Sequence, residues 1–237
     1  MKIKTVSAAC VALLLFIIQT PSWSMDGVRV ELDKPIPART SVYVCLHNNN
    51  HEFLIAKKNV YGYFFNQKAL KKPKKIDNNP GQLVFPGGHL EYDSTVLDVA
   101  ENEFKAEIGT VLGYFGKPEF AIGYRDKNSG CVYYAVYVNA KFNLTQSLLN
   151  NINKNFRKND GIRRFVASGN EDECLEEYGD ESFAYSKSPL YVEDDELRSL
   201  HICSKKDILS KFGVNNKPRL DQSWFRQIAL RAIANFA

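Results

Sequence analysis

Two glutamates, Glu103 and Glu107, lie four positions apart in a segment whose apolar residues repeat with helical spacing. On a helix this spacing puts both side chains on one face, where two carboxylates repel each other unless a cation or a proton lies between them. A glycine turn, Pro86-Gly87-Gly88, precedes the segment and leaves its carbonyls accessible, because glycine adds no side chain. Carboxylate and carbonyl oxygens suit Mg²⁺ or Mn²⁺. The pattern therefore suits a divalent-cation site formed by Glu103, Glu107 and a glycine carbonyl of the turn.

Residues 81–110 resemble the Nudix box, whose signature is G-x5-E-x7-R-E-U-x-E-E-x-G-U with U a bulky apolar residue. The matching positions are Gly88, Glu103, Phe104, Glu107 and Gly109. The first Glu, the Arg, the first Glu of the E-E pair and the last U are replaced by Ser94, Asn102, Ala106 and Thr110. Ala106 removes a carboxylate, and Asn102 lacks the positive charge that would steady the neighbouring acids. The box is similar to the family signature but degenerate.

The resemblance implies a hydrolase that depends on Mg²⁺ or Mn²⁺ and cleaves a nucleoside diphosphate linked to another moiety. It assigns the cation to the side chains of Glu103 and Glu107 and to the carbonyl of Gly88. Two carboxylates suffice for one Mg²⁺, because this ion keeps several waters and takes further ligands from the substrate's phosphates. Glu91 is an additional candidate ligand, since it lies three positions before Ser94 and could partly replace the missing acid.

A late acidic segment, residues 192–197, also resembles the family. Within it, Glu193 or Glu196 could supply the general base, a role whose position varies across the family. A solvated side chain on the protein surface is the competing interpretation for Glu91, Glu193 and Glu196 alike.

Two functions stay open on these residues. The first is the metal-dependent hydrolase, which Glu103, Glu107 and the intact glycine turn favour. The second is a catalytically impaired protein of the same fold that binds a nucleotide or a protein partner, which Ser94, Ala106 and Asn102 favour. In the first case the expected partner is a small nucleotide or diphosphate-linked substrate. Nucleic acid is not expected, because a net charge of +4 over 237 residues is too small to indicate it.

The elements that must position these residues alternate between strand-like and helical patterns. The sequence predicts strands at 41–46, 53–56, 60–65, 82–85, 119–124, 132–138 and 197–203. It predicts helices at 94–108, 147–155, 206–212 and 222–236, and a lysine-rich loop at 68–75. Interleaved strands and helices indicate the α/β (α+β) class. The resemblance implies an αβα sandwich with a mixed β-sheet between helices.

The N-terminal residues 1–24 have the layout of a secretory signal peptide. Lys2 and Lys4 precede an apolar run at 8–18, which is too short for a permanent membrane span. We therefore expect an exported protein, periplasmic or secreted, with no stable span after cleavage. Residues 25–237 are predicted to form a single domain with an irregular insertion at 157–187.

Four cysteines follow the expected cleavage point: Cys45, Cys131, Cys174 and Cys203. An even number in an exported chain allows two disulfides in three pairings, and buried free thiols are the alternative for Cys45 and Cys131. A bridge between Cys174 and Cys203 would tie the insertion to the last strand.

Overall fold

The structure is a computed structural model that describes residues 27–65, 68–76, 80–125, 130–140, 144–158, 194–211 and 223–235. The expected signal peptide, most of the predicted insertion, Cys174 and Glu193 lie outside the described residues. Within them, Cys45 is a buried free thiol and Cys131 is exposed. None of the described helices is both long enough and apolar enough to cross a membrane.

Twelve strands are described: β1 (Val28–Val30), β2 (Pro35–Ile36), β3 (Val42–His47), β4 (Glu52–Lys58), β5 (Tyr61–Phe65), β6 (Lys68–Lys75), β7 (Leu83–Val84), β8 (Gly87–Gly88), β9 (Ser94–Thr95), β10 (Pro118–Arg125), β11 (Val132–Asn139) and β12 (Leu197–Ser204). The main sheet has the order β1-β10-β11-β3-β4-β12. The pair β11–β3 is parallel and the other neighbours are antiparallel, so the sheet is mixed. The predicted strands at 119–124 and 132–138 are confirmed as β10 and β11, which pair antiparallel.

The central strands β3 and β4 pair at His47 and Phe53 and diverge from there. The opening between them is filled by the next segment of chain, since β8 pairs with β3 and β7 pairs with β4. The connection is fixed as well, because the N–H of Val44 donates to the carbonyl of Pro86 at 2.8 Å. This split in the sheet places the glycine turn inside the fold rather than on a surface loop.

The first helix, α1 (Val96–Ile108), begins after Thr95, whose hydroxyl accepts the N–H of Asp98 in a capping box. Such a cap stabilises a helix by about 1 kcal/mol. The helix ends at Gly109, which has a left-handed φ of 79°. The predicted start at Ser94 is wrong, because Ser94 and Thr95 are extended and pair with β2.

Three further helices are described: α2 (Gln146–Lys158), α3 (Lys205–Lys211) and α4 (Ser223–Asn235). Strand β3 is buried on both faces, so the sheet is covered on both sides. Helix α4 packs on the face that carries Tyr43 and Tyr137, where Tyr43 meets Phe225 edge to face. Helix α1 packs against β3, β8 and β11. The predicted α/β (α+β) fold, a mixed β-sheet between helices, is confirmed.

The lysine-rich segment 68–75 was predicted as a loop, and this is wrong. It forms strand β6, which pairs with β5 between Tyr61 and Lys75 and between Phe65 and Lys68. The sequence hides the strand because its lysines do not alternate with apolar residues. Backbone hydrogen bonds to β5, rather than an alternating side-chain pattern, stabilise this strand.

Candidate functional site

The glycine turn is pressed against strand β3. A Cβ on Gly87 would lie 2.2 Å from the carbonyl oxygen of Val42, and the φ of Gly87 is 139°. Both facts exclude any other residue at this position. The N–H of Gly87 donates to Oε2 of Glu107 at 2.7 Å. The turn and the helix are therefore joined by one of the site's own carboxylates.

Gly88 lies directly beneath the second carboxylate. A Cβ on Gly88 would lie 2.2 Å from Oε2 of Glu103, so the absence of a side chain is what lets this carboxylate approach the turn so closely. Helix α1 is held in position by its buried apolar residues, Ala100, Phe104 and Ile108. Glu103 and Glu107 lie at the edge of that stripe and therefore point toward the turn.

An acidic turn, Asp194-Asp195-Glu196, lies beside the same helix. The N–H of Asp194 donates to the carbonyl of Ala106 at 3.3 Å. Asn59 fixes the turn from the sheet, because its Nδ2 donates to the carbonyl of Asp195 at 2.9 Å and its N–H donates to the carbonyl of Glu196 at 2.8 Å. The turn thus brings two further carboxylates, from Asp194 and Glu196, near those of α1.

A lysine lies among these acids. Nζ of Lys58 is 3.0 Å from Oε2 of Glu196, and the two side chains are 11% and 34% exposed. Lys58 is the last residue of β4 and lies opposite Leu197, the first residue of β12. The site therefore combines a buried carboxylate pair with an ion pair.

Burial raises the pKa of Glu107 well above its usual value, because the side chain is only 2% exposed. Repulsion from Glu196 and Glu103 raises it further, while the Lys58 ammonium and the N–H of Gly87 oppose the rise. Burial also raises the pKa of Glu103 to about 8, with Asp194 and Glu196 adding to the shift and Lys58 reducing it. Both carboxylates thus lack full charge compensation from the protein.

These donors fit a hard divalent cation. Within the described residues, no three His, Cys, Asp or Glu side chains are grouped so as to hold a metal ion by themselves. The possible donors are instead two carboxylates and the adjacent backbone of Gly88. A divalent cation would supply the positive charge that burial denies to Glu103 and Glu107. That these residues bind one stays a prediction.

Glu91 is placed differently from the other candidate ligands. Its Oε2 accepts from Nε of Arg39 at 2.8 Å, and the two side chains are 65% and 75% exposed. His89 lies 3.4 Å from its other oxygen. Hydrogen bonding from Arg39 lowers the pKa of Glu91. Glu91 is therefore an exposed acid with a cationic partner of its own, unlike Glu103 and Glu107.

Sequence reasoning missed Lys58 and Asp194. Lys58 ends an apolar strand, where a lysine is ordinary, and the partner it pairs with is 138 residues away. The strand pairing of β4 with β12 was the signal that could have found it. The substituted position Asn102 is also explained locally, because its Nδ2 donates to the carbonyl of Asp98 on the same helix at 2.8 Å.

Comparisons with known proteins give similarity to solved structures alone. No family model matches the chain, and no curated protein matches it. Similar structures include a NUDIX hydrolase from Nitrosomonas europaea, at 10% identity, a TM-score of 0.40 and coverage of 84% of this chain and 88% of that one. A MutT protein from Methanosarcina mazei Go1 is 13% identical, with a TM-score of 0.39 and coverage of 83% and 96%. A UDP-X diphosphatase is 8% identical, with a TM-score of 0.35 and coverage of 99% and 74%.

Proposed function

We propose that this chain is a Nudix-type pyrophosphohydrolase that cleaves a nucleoside diphosphate linked to another moiety and depends on Mg²⁺ or Mn²⁺. The observation that carries the proposal is that helix α1 places both Glu103 and Glu107 against the glycine turn. Glu107 is 2% exposed and Glu103 is half-buried. Burial raises the pKa of each carboxyl, so ionising them costs the fold free energy unless a ligand compensates the charge.

The cation would be held by Glu103, Glu107 and the carbonyl of Gly88. When bound, it neutralises the diphosphate and lowers the pKa of an attacking water. The protein's own residues do the positioning. Glu107 accepts from the N–H of Gly87 and so fixes the turn, and α1 holds Glu103 above Gly88.

The general base stays a proposal for Glu196 and Glu193. Glu196 lies beside the carboxylate pair and is partly exposed, which suits proton exchange with water. Its Oε2 accepts a hydrogen bond from Nζ of Lys58 at 3.0 Å, which fixes the carboxylate at the edge of the site. Glu193 lies outside the described residues.

We further propose that the protein is exported and acts outside the cytoplasm. Support comes from the sequence of residues 1–24 alone, which combines two lysines, a short apolar run and small residues before Met25. N-terminal sequencing of the exported protein tests this: the expected first residue is Met25, and a chain that retains residues 1–24 contradicts it.

The enzymatic proposal is tested by a panel of diphosphate-linked nucleotides, including ADP-ribose, with Mg²⁺ and with Mn²⁺. We expect the wild type to hydrolyse at least one compound and Glu107→Gln to lose that activity. Exposed Glu101, on the same helix, supplies the matched control Glu101→Gln, which should keep it. Hydrolysis at the background rate by the wild type with both metals would contradict the proposal.

A second candidate is a protein of this fold that binds a nucleotide or a protein partner without catalysis. Ala106 favours it, because the helix presents one carboxylate fewer than the family signature has. Calorimetry with ADP-ribose separates the two. Binding without turnover in the presence of metal would put this candidate first.

A further inference from the structure

Among the lysines whose burial the structure describes, Lys58 is the one that is not exposed. Its side chain is 11% exposed, and its Nζ lies 3.0 Å from Oε2 of Glu196. Its backbone is fixed as well, since its N–H donates to the carbonyl of Gln82 at 2.8 Å. Strands β7 and β12 flank it on the two edges of β4. The ammonium therefore has a defined position rather than a solvated one.

The ammonium of Lys58 acts on the whole acidic site. It contacts Glu196 directly, and it favours the ionised forms of both Glu103 and Glu107. The described carboxylates that act on one another here are those of Glu103, Glu107, Asp194 and Glu196, and Lys58 is the described cation that acts on them. A divalent cation bound at Glu196 would have to compete with the ammonium for the same carboxylate oxygen.

We infer that Lys58 is a resident counter-ion that occupies the place of a second cation and limits this site to one divalent ion. The inference rests on the metal dependence in the proposed function. In this arrangement Glu103, Glu107 and Gly88 take the ion, while Lys58 holds Glu196 in an ion pair. Removing the ammonium frees the Glu196 carboxylate and opens a second cation position on it.

An ordinary structural ion pair is the competing explanation, and it predicts something different. A purely structural pair would hold β4 against the acidic turn, and breaking it would leave the number of bound cations unchanged. A counter-ion instead sets how many cations bind and how tightly, because like charges at short range in a partly buried site repel strongly. Metal stoichiometry therefore separates the two roles without an activity assay.

The test is a Mn²⁺ titration of the full mature chain, followed by the electron paramagnetic resonance signal of free Mn²⁺. For wild type we expect one bound ion per chain. For Lys58→Met, which keeps the aliphatic stem and removes the charge, we expect two ions and a Kd of the first about tenfold lower. Lys58→Arg keeps the charge and should behave as wild type. Adding Glu196→Gln to Lys58→Met should return the count to one.

Each outcome bears on the inference separately from the proposed function. If Lys58→Met binds one ion with unchanged Kd, the counter-ion role is wrong while metal dependence stands. If wild type binds no Mn²⁺ but Lys58→Met does, the role is supported and metal dependence fails. If neither protein binds Mn²⁺, both fail. Should Lys58→Met not fold, as judged by its thermal unfolding, Lys58→Gln and the single Glu196→Gln variant decide: a second ion in the former supports the role, and a lost ion in the latter overturns it.

Discussion

Two sets of carboxylates flank the glycine turn, and their environments differ. Glu91 lies on the outer side, exposed and paired with Arg39 at 2.8 Å. Glu103 and Glu107 lie on the inner side, held against Gly87 and Gly88 with little compensation for their charge. The sequence offered all three as ligands. An exposed acid that pairs with an arginine has its charge compensated without a cation, whereas Glu103 and Glu107 do not.

The largest effect should come from Glu107→Gln. This change keeps size but removes the buried charge and weakens the bond to the N–H of Gly87. We expect Mn²⁺ affinity and turnover to fall together, by about 100-fold or more. Calorimetry and the hydrolysis assay measure the two quantities. If turnover falls while Mn²⁺ affinity stays the same, Glu107 is not a metal ligand. The proposed difference between Glu107 and Glu91 in cation binding would then be wrong.

Ala106→Glu should have the next largest effect, in the opposite direction. It restores a third acid on α1, and we expect Mn²⁺ affinity to rise about tenfold and activity to rise with it. Asn102→Arg in the same chain should strengthen the gain by supplying the missing positive charge. An unchanged Mn²⁺ affinity in both variants would contradict the role given to the missing carboxylate.

The inner set should also make metal-free stability depend on pH. The pKa of Glu103 rises to about 8, so between the unfolded value near 4.5 and about 8 the folded protein binds more protons than the unfolded one. The free energy of unfolding in EDTA should therefore fall as pH rises through this window. Urea unfolding at pH 6 and pH 9 should show Glu103→Gln lacking about 1–2 kcal/mol of this fall. If the free energy of unfolding changes equally with pH in the wild type and in Glu103→Gln, the charge of Glu103 is compensated in the folded protein and this prediction is wrong.

The smallest effect should come from Glu91→Gln. Its partner Arg39 is 75% exposed, and exposed pairs contribute little. We expect Mn²⁺ affinity and turnover to change by less than about threefold. A loss as large as that of Glu107→Gln would return Glu91 to the ligand set and remove the contrast between the two sides of the turn.

The sequence predicted the parts of the site that are local. Gly88, Glu103 and Glu107 come from one continuous segment, whose helix has a clear stripe and a clear stop at Gly109. The helix start was missed by two residues, because Thr95 caps the helix from an extended conformation. Local signals thus gave the glycine turn and the helix that faces it.

The remainder depends on pairing between distant strands. Lys58 meets Glu196 because β12 lies beside β4, across 138 residues of chain, and a strand pattern does not name its neighbour. The same limit hid β6, whose lysines became a strand through pairing with β5. The split of β3 and β4 that receives the glycine turn was likewise invisible, since it arises from where the two strands diverge.

The most direct test of the inner site is a crystal soaked in Mn²⁺ and measured for anomalous scattering. We expect an anomalous peak beside Gly88, within ligand distance of the Glu103 and Glu107 carboxylates, and no peak beside Glu91. A strong peak at Glu91, or none at Gly88 when the soaked Mn²⁺ saturates binding in solution, would contradict this expectation.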